Sequence, residues 1–228
     1  MRTLRNLLIV ASRHDSDQTI EPIRNAHLNS VRMLTEHDRM VVIDNGSRDV
    51  VRVRLNKTYA RNGIRYISNA NWTTDNGWEF GAWRWAFETL PDLDRFDNYF
   101  LLQDSMMLTH PLPQHRLRRA MCESFAGWVP ECGQDFCWSK SSKTCIQMAR
   151  QNTKLLDFRI GTNFTACKGS NVGLSKQMLK MALRDHIFDL IVKNKQDSQC
   201  TERIIGWYIQ SNRLDMRTYF QKFYFSRP

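Results

Sequence analysis

Two aspartates close apolar runs in this chain: Asp104 ends Tyr99-Phe-Leu-Leu-Gln-Asp, and Asp44 ends Met40-Val-Val-Ile-Asp. A carboxylate at the carboxyl end of a buried-type strand stands where open α/β sheets bind their ligands. There it can accept hydrogen bonds from a nucleobase N–H or a ribose hydroxyl, or hold a hard divalent cation. Asp44-Asn-Gly-Ser47 also forms an Asx turn readily, so a purely local role for Asp44 stays open. Between the two lies Asn76-Gly-Trp-Glu-Phe-Gly-Ala-Trp-Arg84, with Gly77 and Gly81 placed where a helix should start. Glycine inside a helix is about 1 kcal/mol worse than alanine, whereas beside a helix N-terminus it lets a phosphate approach backbone N–H groups. Arg84, one turn further, is within reach of such a diphosphate or of a neighbouring acid. Glu202 falls near the start of a late helix. An acid in a first helical turn complements the helix dipole, and Asp197 is a second acid nearby.

Strands and helices must alternate to bring these groups together. Leu7–Ala11 reads as a buried strand. Ile20, Ile23, His27, Val31 and Leu34 recur at helical spacing, with Asp17 as cap and Pro22 in the first turn. Met40–Ile43 and Ile64–Ile67 are further strands, and a turn at Asp44–Ser47 stands between them. Asn76 and Glu79 form a capping-box-like start, after which Phe80, Trp83, Phe87 and Leu90 mark one helix face and read best as core. Tyr99–Leu102 is a fourth strand, and Phe125–Val129 is a candidate fifth. Cys132–Thr144 reads as a loop, Ser175 caps a helix reaching Ile191, and a last helix runs from near Ser198 to Gln210. This order predicts an α/β fold, a mostly parallel central sheet with helices on both faces. No linker or repeat divides the chain, so residues 1–228 read as one domain. About residues 1–115 read as a nucleotide-type half, and about 116–228 as a second, substrate-shaping half.

Composition narrows the class. The chain has 228 residues, 42% hydrophobic and 25% charged, as in an ordinary globular protein. Leu7–Ala11 is too short for a membrane span or a signal-peptide core, which predicts a soluble cytoplasmic protein. The six cysteines, at 122, 132, 137, 145, 167 and 200, match no zinc spacing and are expected as reduced thiols. The six histidines form no H-x-x-x-H pair. A net charge of +10 invites nucleic acid, an anionic membrane surface or a small anionic substrate as partner. The basic residues form no tail, and no nucleic-acid motif appears, so nucleic acid is not expected. Peripheral contact with an anionic membrane remains open, as does the oligomeric state.

The segment Asn76–Trp83, the strand ending Gln103-Asp-Ser105, Val41-Val-Ile-Asp-Asn-Gly-Ser47 and Phe164–Ser175 occur in an order that resembles sugar-nucleotide glycosyltransferases of the GT-A fold. The wording also resembles the rhamnan-synthesis F type, whose pattern is roughly N-x-G-x-D-F-G-A-W followed by a strand ending N-D-S. The resemblance implies transfer of a sugar from a nucleoside-diphosphate donor to a glycan hydroxyl, in polysaccharide building. The donor site would comprise Ala11, Ser12, Arg13, Asp44, Asn45, Gly77, Phe80, Gly81, Arg84, Gln103 and Asp104. A glycine-rich turn at Gly169, Ser170 and Asn171, with Trp128, would shape the acceptor pocket. Asp104 and Glu202 would be the catalytic acids. Such enzymes usually carry an acidic pair that holds Mn²⁺ or Mg²⁺. Here Ser105-Met-Met supplies no second acid, so Asp104 is either the single metal ligand or a hydrogen-bond acceptor for the sugar. The rival readings are a basic nucleic-acid-binding protein and a non-catalytic relative that binds glycans through its seven tryptophans.

Overall fold

The computed structural model describes residues 3–14, 17–69, 78–118, 121–124 and 167–194, and further on 197, 198, 200–202, 204, 205, 208 and 220–222. A six-stranded sheet organises them: β1 (Asn6–Ser12), β2 (Arg39–Asp44), β3 (Arg65–Ser68), β4 (Asn98–Gln103), β6 (Met121–Ser124) and β7 (Cys167–Ser175), in the order β3-β2-β1-β4-β7-β6. Neighbours among the first four strands pair in parallel, while β7 runs antiparallel to both β4 and β6. A separate pair joins β5 (Met106–Leu108) to β8 (Phe220–Lys222). Strands from both sides of residue 115 therefore share one sheet. The α/β architecture is as the sequence predicts.

Helices cover both faces. Leu8, Val10, Val42, Phe100 and Leu102 point to one side, where α1 (Asp17–Val31) and α2 (Asp49–Arg61) supply Ile20, Val51, Leu55 and Tyr59. Leu7, Ile9, Val41, Ile43 and Leu101 point to the other, against Phe80, Trp83 and Ala86 of α3 (Trp78–Thr89) and Leu179 and Ala182 of α4 (Lys176–Arg184). Leu8, Ile9, Val42, Phe100 and Leu101 are wholly buried, each contributing about 1.5–3 kcal/mol over exposure. Ser175 caps α4, its Oγ accepting from the Met178 N–H at 3.3 Å.

Several elements differ from the expectation. Helix α2 stands where only a turn is expected between β2 and β3. Two parallel neighbours require a crossover, and Val51, Leu55 and Tyr59 supply its buried stripe at i, i+4, i+8. Exposed Val50 and Val53 blur that stripe in the sequence. Pro22 falls in the second turn of α1, not the first. Helix α4 ends at Arg184, short of Ile191. Gly169, Ser170 and Asn171 belong to the nine-residue strand β7, not to a turn. Backbone at every described position from 197 to 208 is helical. The candidate strand at Phe125–Val129 and the loop Cys132–Thr144 lie outside the described residues.

Candidate functional site

From β1 the chain builds outward through β2 and β3, then returns to place β4 on the opposite side of β1. The connections leaving β1 and β4 therefore diverge, and a crevice opens at the carboxyl ends of these two strands. Across that switch point the Arg13 N–H donates to Asp104 Oδ2 at 3.3 Å. Arg13 is exposed and Asp104 half-buried, so the carboxylate sits at the floor of the crevice within solvent reach.

Beneath it the ends of β1 and β2 are laced together. Ser12 Oγ lies 3.0 Å from His14 Nε2, and the His14 N–H donates to Ser47 Oγ at 2.8 Å. Ser47 in turn donates to Asp44 through its hydroxyl and its N–H. Asp44 is wholly buried. Burial raises its pKa above the ordinary carboxylate value, against the pull of the Ser47 hydrogen bonds. Its carboxylate holds the β2–α2 turn and is closed to solvent, the local role that the Asp44–Ser47 sequence left open. Below lies His27, wholly buried, with Nδ1 2.8 Å from the Tyr59 hydroxyl. Burial, helped by nearby His14, lowers its pKa to about 3, so His27 is neutral and cannot draw a proton from the crevice near pH 7.

The third wall is the start of α3. Asn45 donates through Nδ2 to the Trp78 carbonyl and accepts from Asn69 Nδ2 at 2.9 Å, tying the end of β2 to the helix. Trp78 has φ 65°, a left-handed conformation that costs a non-glycine residue about 1–2 kcal/mol, and its indole is 41% exposed. Glu79 follows. It is 8% exposed, accepts from Gln103 Nε2 at 2.7 Å, and is approached by Ser198 Oγ at 3.5 Å. Among the described residues no basic side chain pairs with it. A buried carboxylate without a cation is costly unless something else compensates it, which makes Glu79 a functional candidate. Gln103 is the last residue of β4, and its N–H is fixed by Asn171 Oδ1 at 2.9 Å. Ser198 lies one helical turn before Glu202, on the same face. Glu79 thus joins the strand end carrying Asp104 to the helix carrying Glu202.

Several expected site residues fall elsewhere. Phe80 is 1% exposed, edge-on to Trp83 at 5.1 Å, and is core. Gly81 lies inside α3 rather than flanking its start. Arg84 binds Glu88 at 2.9 Å and approaches Asp189 at 3.9 Å. Five residues past Glu79, it stands about 140° around the helix from that side chain. Ala11 is a buried strand residue, Asn171 is buried behind Gln103, and Asp197 receives the Lys193 N–H at 3.0 Å. Gly77 and Trp128 lie outside the described residues, and nothing is described of the Gly169 and Ser170 surroundings. Glu79 was legible only as a capping residue, although the glycosyltransferase-like pattern carries an acid at its position. Among the described residues no three His, Cys, Asp or Glu side chains gather into a metal-binding group, and no helix is long and apolar enough to cross a membrane.

Among solved structures the chain is similar to WbbM, a bifunctional glycosyltransferase, with a TM-score of 0.50 and 11% identity over 95% of this chain and 39% of that one. The glycosyltransferase GlyE of Streptococcus pneumoniae TIGR4 matches with a TM-score of 0.48 and 10% identity, over 94% and 45%. The chain spans less than half the length of these two structures. At such identity the likeness to WbbM is one of fold. No protein-family model matches the sequence, and no curated protein matches it either.

Proposed function

We propose that the crevice binds a nucleoside-diphosphate sugar and that the chain transfers the sugar to a glycan hydroxyl. One arrangement carries this reading: Asp104 follows β4 and accepts from the Arg13 N–H beyond the end of β1, while Glu79 of α3 accepts from Gln103, the residue before Asp104, so that carboxylates from two elements flank the β1/β4 switch point, where α/β folds place nucleotide ligands. Arg13, whose backbone N–H binds Asp104, would face the diphosphate. The buried Glu79, with no basic partner among the described residues, would accept from hydroxyls of the donor sugar, supplying the second acid that the Gln103-Asp-Ser105 sequence lacks.

In the transfer, the acceptor oxygen bonds to the anomeric carbon while the bond from that carbon to the diphosphate oxygen breaks. The nucleoside diphosphate leaves with the electron pair. Glu202 would take the acceptor proton if the configuration inverts. Asp104 suits Mn²⁺ or Mg²⁺ in chemistry, because such ions accept one carboxylate beside phosphate oxygens and water. When bound, the ion would neutralise charge on the leaving group. Asp44, Ser12 and Asn45 would serve by holding the strand ends in place.

The test is a thermal-shift panel of UDP, GDP, CMP and dTDP conjugates, each with and without Mn²⁺. A ligand that binds the native state selectively must raise the melting temperature. A shift with one diphosphate class supports the reading, and loss of the shift without Mn²⁺ assigns Asp104 as ligand. No shift with any conjugate sinks it.

A further inference from the structure

Four arginines face a second cavity at the opposite end of the sheet. It has a volume of about 420 Å³ and lies among the amino ends of β1, β2 and β3 and the segment between α3 and β4. Arg5 precedes β1, Arg39 opens β2, Arg65 opens β3, and Arg95 lies just before β4. In the parallel register Arg39 sits beside Leu7 and Arg65 beside Val41. Neighbours in register share a sheet face, so both arginines project from the face that elsewhere forms the α3 core. Helix α3 ends at Thr89 and leaves this corner open, with Leu93 and Phe96 as its apolar wall.

The charge there is unbalanced. Among the described residues Asp92 is the one acid lining the cavity, and it pairs with Arg95 at 3.1 Å. Arg39 is held by backbone rather than by an acid, its Nη1 donating to the Glu36 carbonyl at 2.6 Å and the Asp38 carbonyl at 2.7 Å. A charged residue on a sheet edge often guards against strand pairing, which would account for Arg65 on β3. It does not account for Arg5 or Arg39, because β1 and β2 are interior strands.

We infer that this cavity binds a phosphomonoester or diphosphate group, with the anion on Arg39 and Arg65 and an apolar portion of the same ligand against Leu93 and Phe96. Guanidinium pairs are suited to phosphate because their donors form a fixed fork. Such a site gives part of the +10 net charge a place to act, and it stands apart from the crevice at Asp104.

Calorimetric titration of the full chain with inorganic pyrophosphate, in EDTA and low salt, tests the inference. The comparison is Arg39→Ala/Arg65→Ala against Arg54→Ala/Arg61→Ala, which removes the same charge from the exposed side of α2. The cavity pair should weaken binding by about tenfold or more, and the α2 pair should leave it unchanged. Should the cavity double variant fail to fold, Arg65→Glu at the exposed strand edge must give the same loss. Co-sedimentation with phosphatidylcholine vesicles containing phosphatidic acid then separates the sources. Capture that disappears in the cavity variant points to a lipid headgroup, and pyrophosphate binding without capture points to a soluble ligand. Equal weakening by both pairs, wild-type affinity in the cavity variant, or no binding of either probe overturns the site.

Discussion

Glu79, in the first turn of α3, accepts a hydrogen bond from Gln103 Nε2 at 2.7 Å, and that bond fixes how the helix meets the end of β4. The carboxylate is almost wholly buried, and among the described residues its hydrogen-bond donors are the Gln103 amide and the Ser198 hydroxyl.

Glu79→Gln should therefore keep the fold and impair function. Glutamine still accepts from Gln103, and loss of a first-turn charge costs about 0.5 kcal/mol of helix stability. Loss of the charge toward sugar hydroxyls should lower kcat/KM by about tenfold or more. Glu79→Ala adds a structural defect, because the Gln103 amide loses its acceptor at about 1–3 kcal/mol. Paired urea melts and transfer assays decide the matter. If Glu79→Gln turns over like the wild type, the role assigned to Glu79 is wrong.

Asp104→Asn isolates charge from shape. Asparagine can still accept from the Arg13 N–H, so stability should change by less than about 1 kcal/mol at this half-buried position. Transfer should fall by about 100-fold, the scale seen when a preorganised electrostatic contact to a developing charge is removed. Steady-state kinetics against a donor identified by thermal shift supplies the number. Wild-type turnover in this variant would remove Asp104 from the reaction.

Trp78 inverts the usual helix ranking. At φ 65° glycine is unstrained, and any residue with a Cβ is not. Trp78→Gly should exceed Trp78→Ala in stability by about 1 kcal/mol, although alanine normally leads glycine by that amount in helices. Urea midpoints of the two variants give the answer directly. An alanine variant that is the more stable of the two would mean that the left-handed backbone at Trp78 is not retained.

His27 should make the fold labile to acid. Its pKa is lowered from 6.5 to about 3 in the folded chain, so between those values the unfolded chain binds more protons. Stability is then complete above about pH 6.5 and is lost as pH falls toward 3, by roughly 1.4 kcal/mol per unit inside that window. His27→Leu forfeits the Tyr59 hydrogen bond but should flatten the dependence. Denaturant melts at pH 7 and pH 5 compare the two chains, and parallel losses in both would locate the acid sensitivity elsewhere.

How much of this was legible in the sequence depends on the range of each interaction. Strands β1 to β4 could be read because their apolar runs are continuous and bounded by turn residues. The cap at Ser175 could be read because it bonds only three residues away. Helix α2 escaped because Val50 and Val53, both exposed, mask the stripe of Val51, Leu55 and Tyr59. Its arginines resemble a solvated loop. Asp44 and Arg84 each admitted a ligand contact or a local partner, and each finds a partner three or four residues along its own chain. Local competition of that kind is visible in sequence, but its outcome is not.

The sequence by itself determined the alternation of strands and helices, the two carboxylates at strand ends and the excess of basic charge, since each is a matter of residue type and short-range spacing. Tertiary structure decided which of those groups meet. Arg13 reaches Asp104 across 91 positions, Gln103 reaches Glu79 across 24, and Ser198 reaches Glu79 across 119. Asn6, Asp38 and Asn98 close a buried polar network in the same way, with contacts of 2.8 and 2.9 Å between residues up to 92 positions apart. Such pairings follow from strand order, and strand order is set by how both faces of the sheet bury their apolar side chains together, not by any one segment.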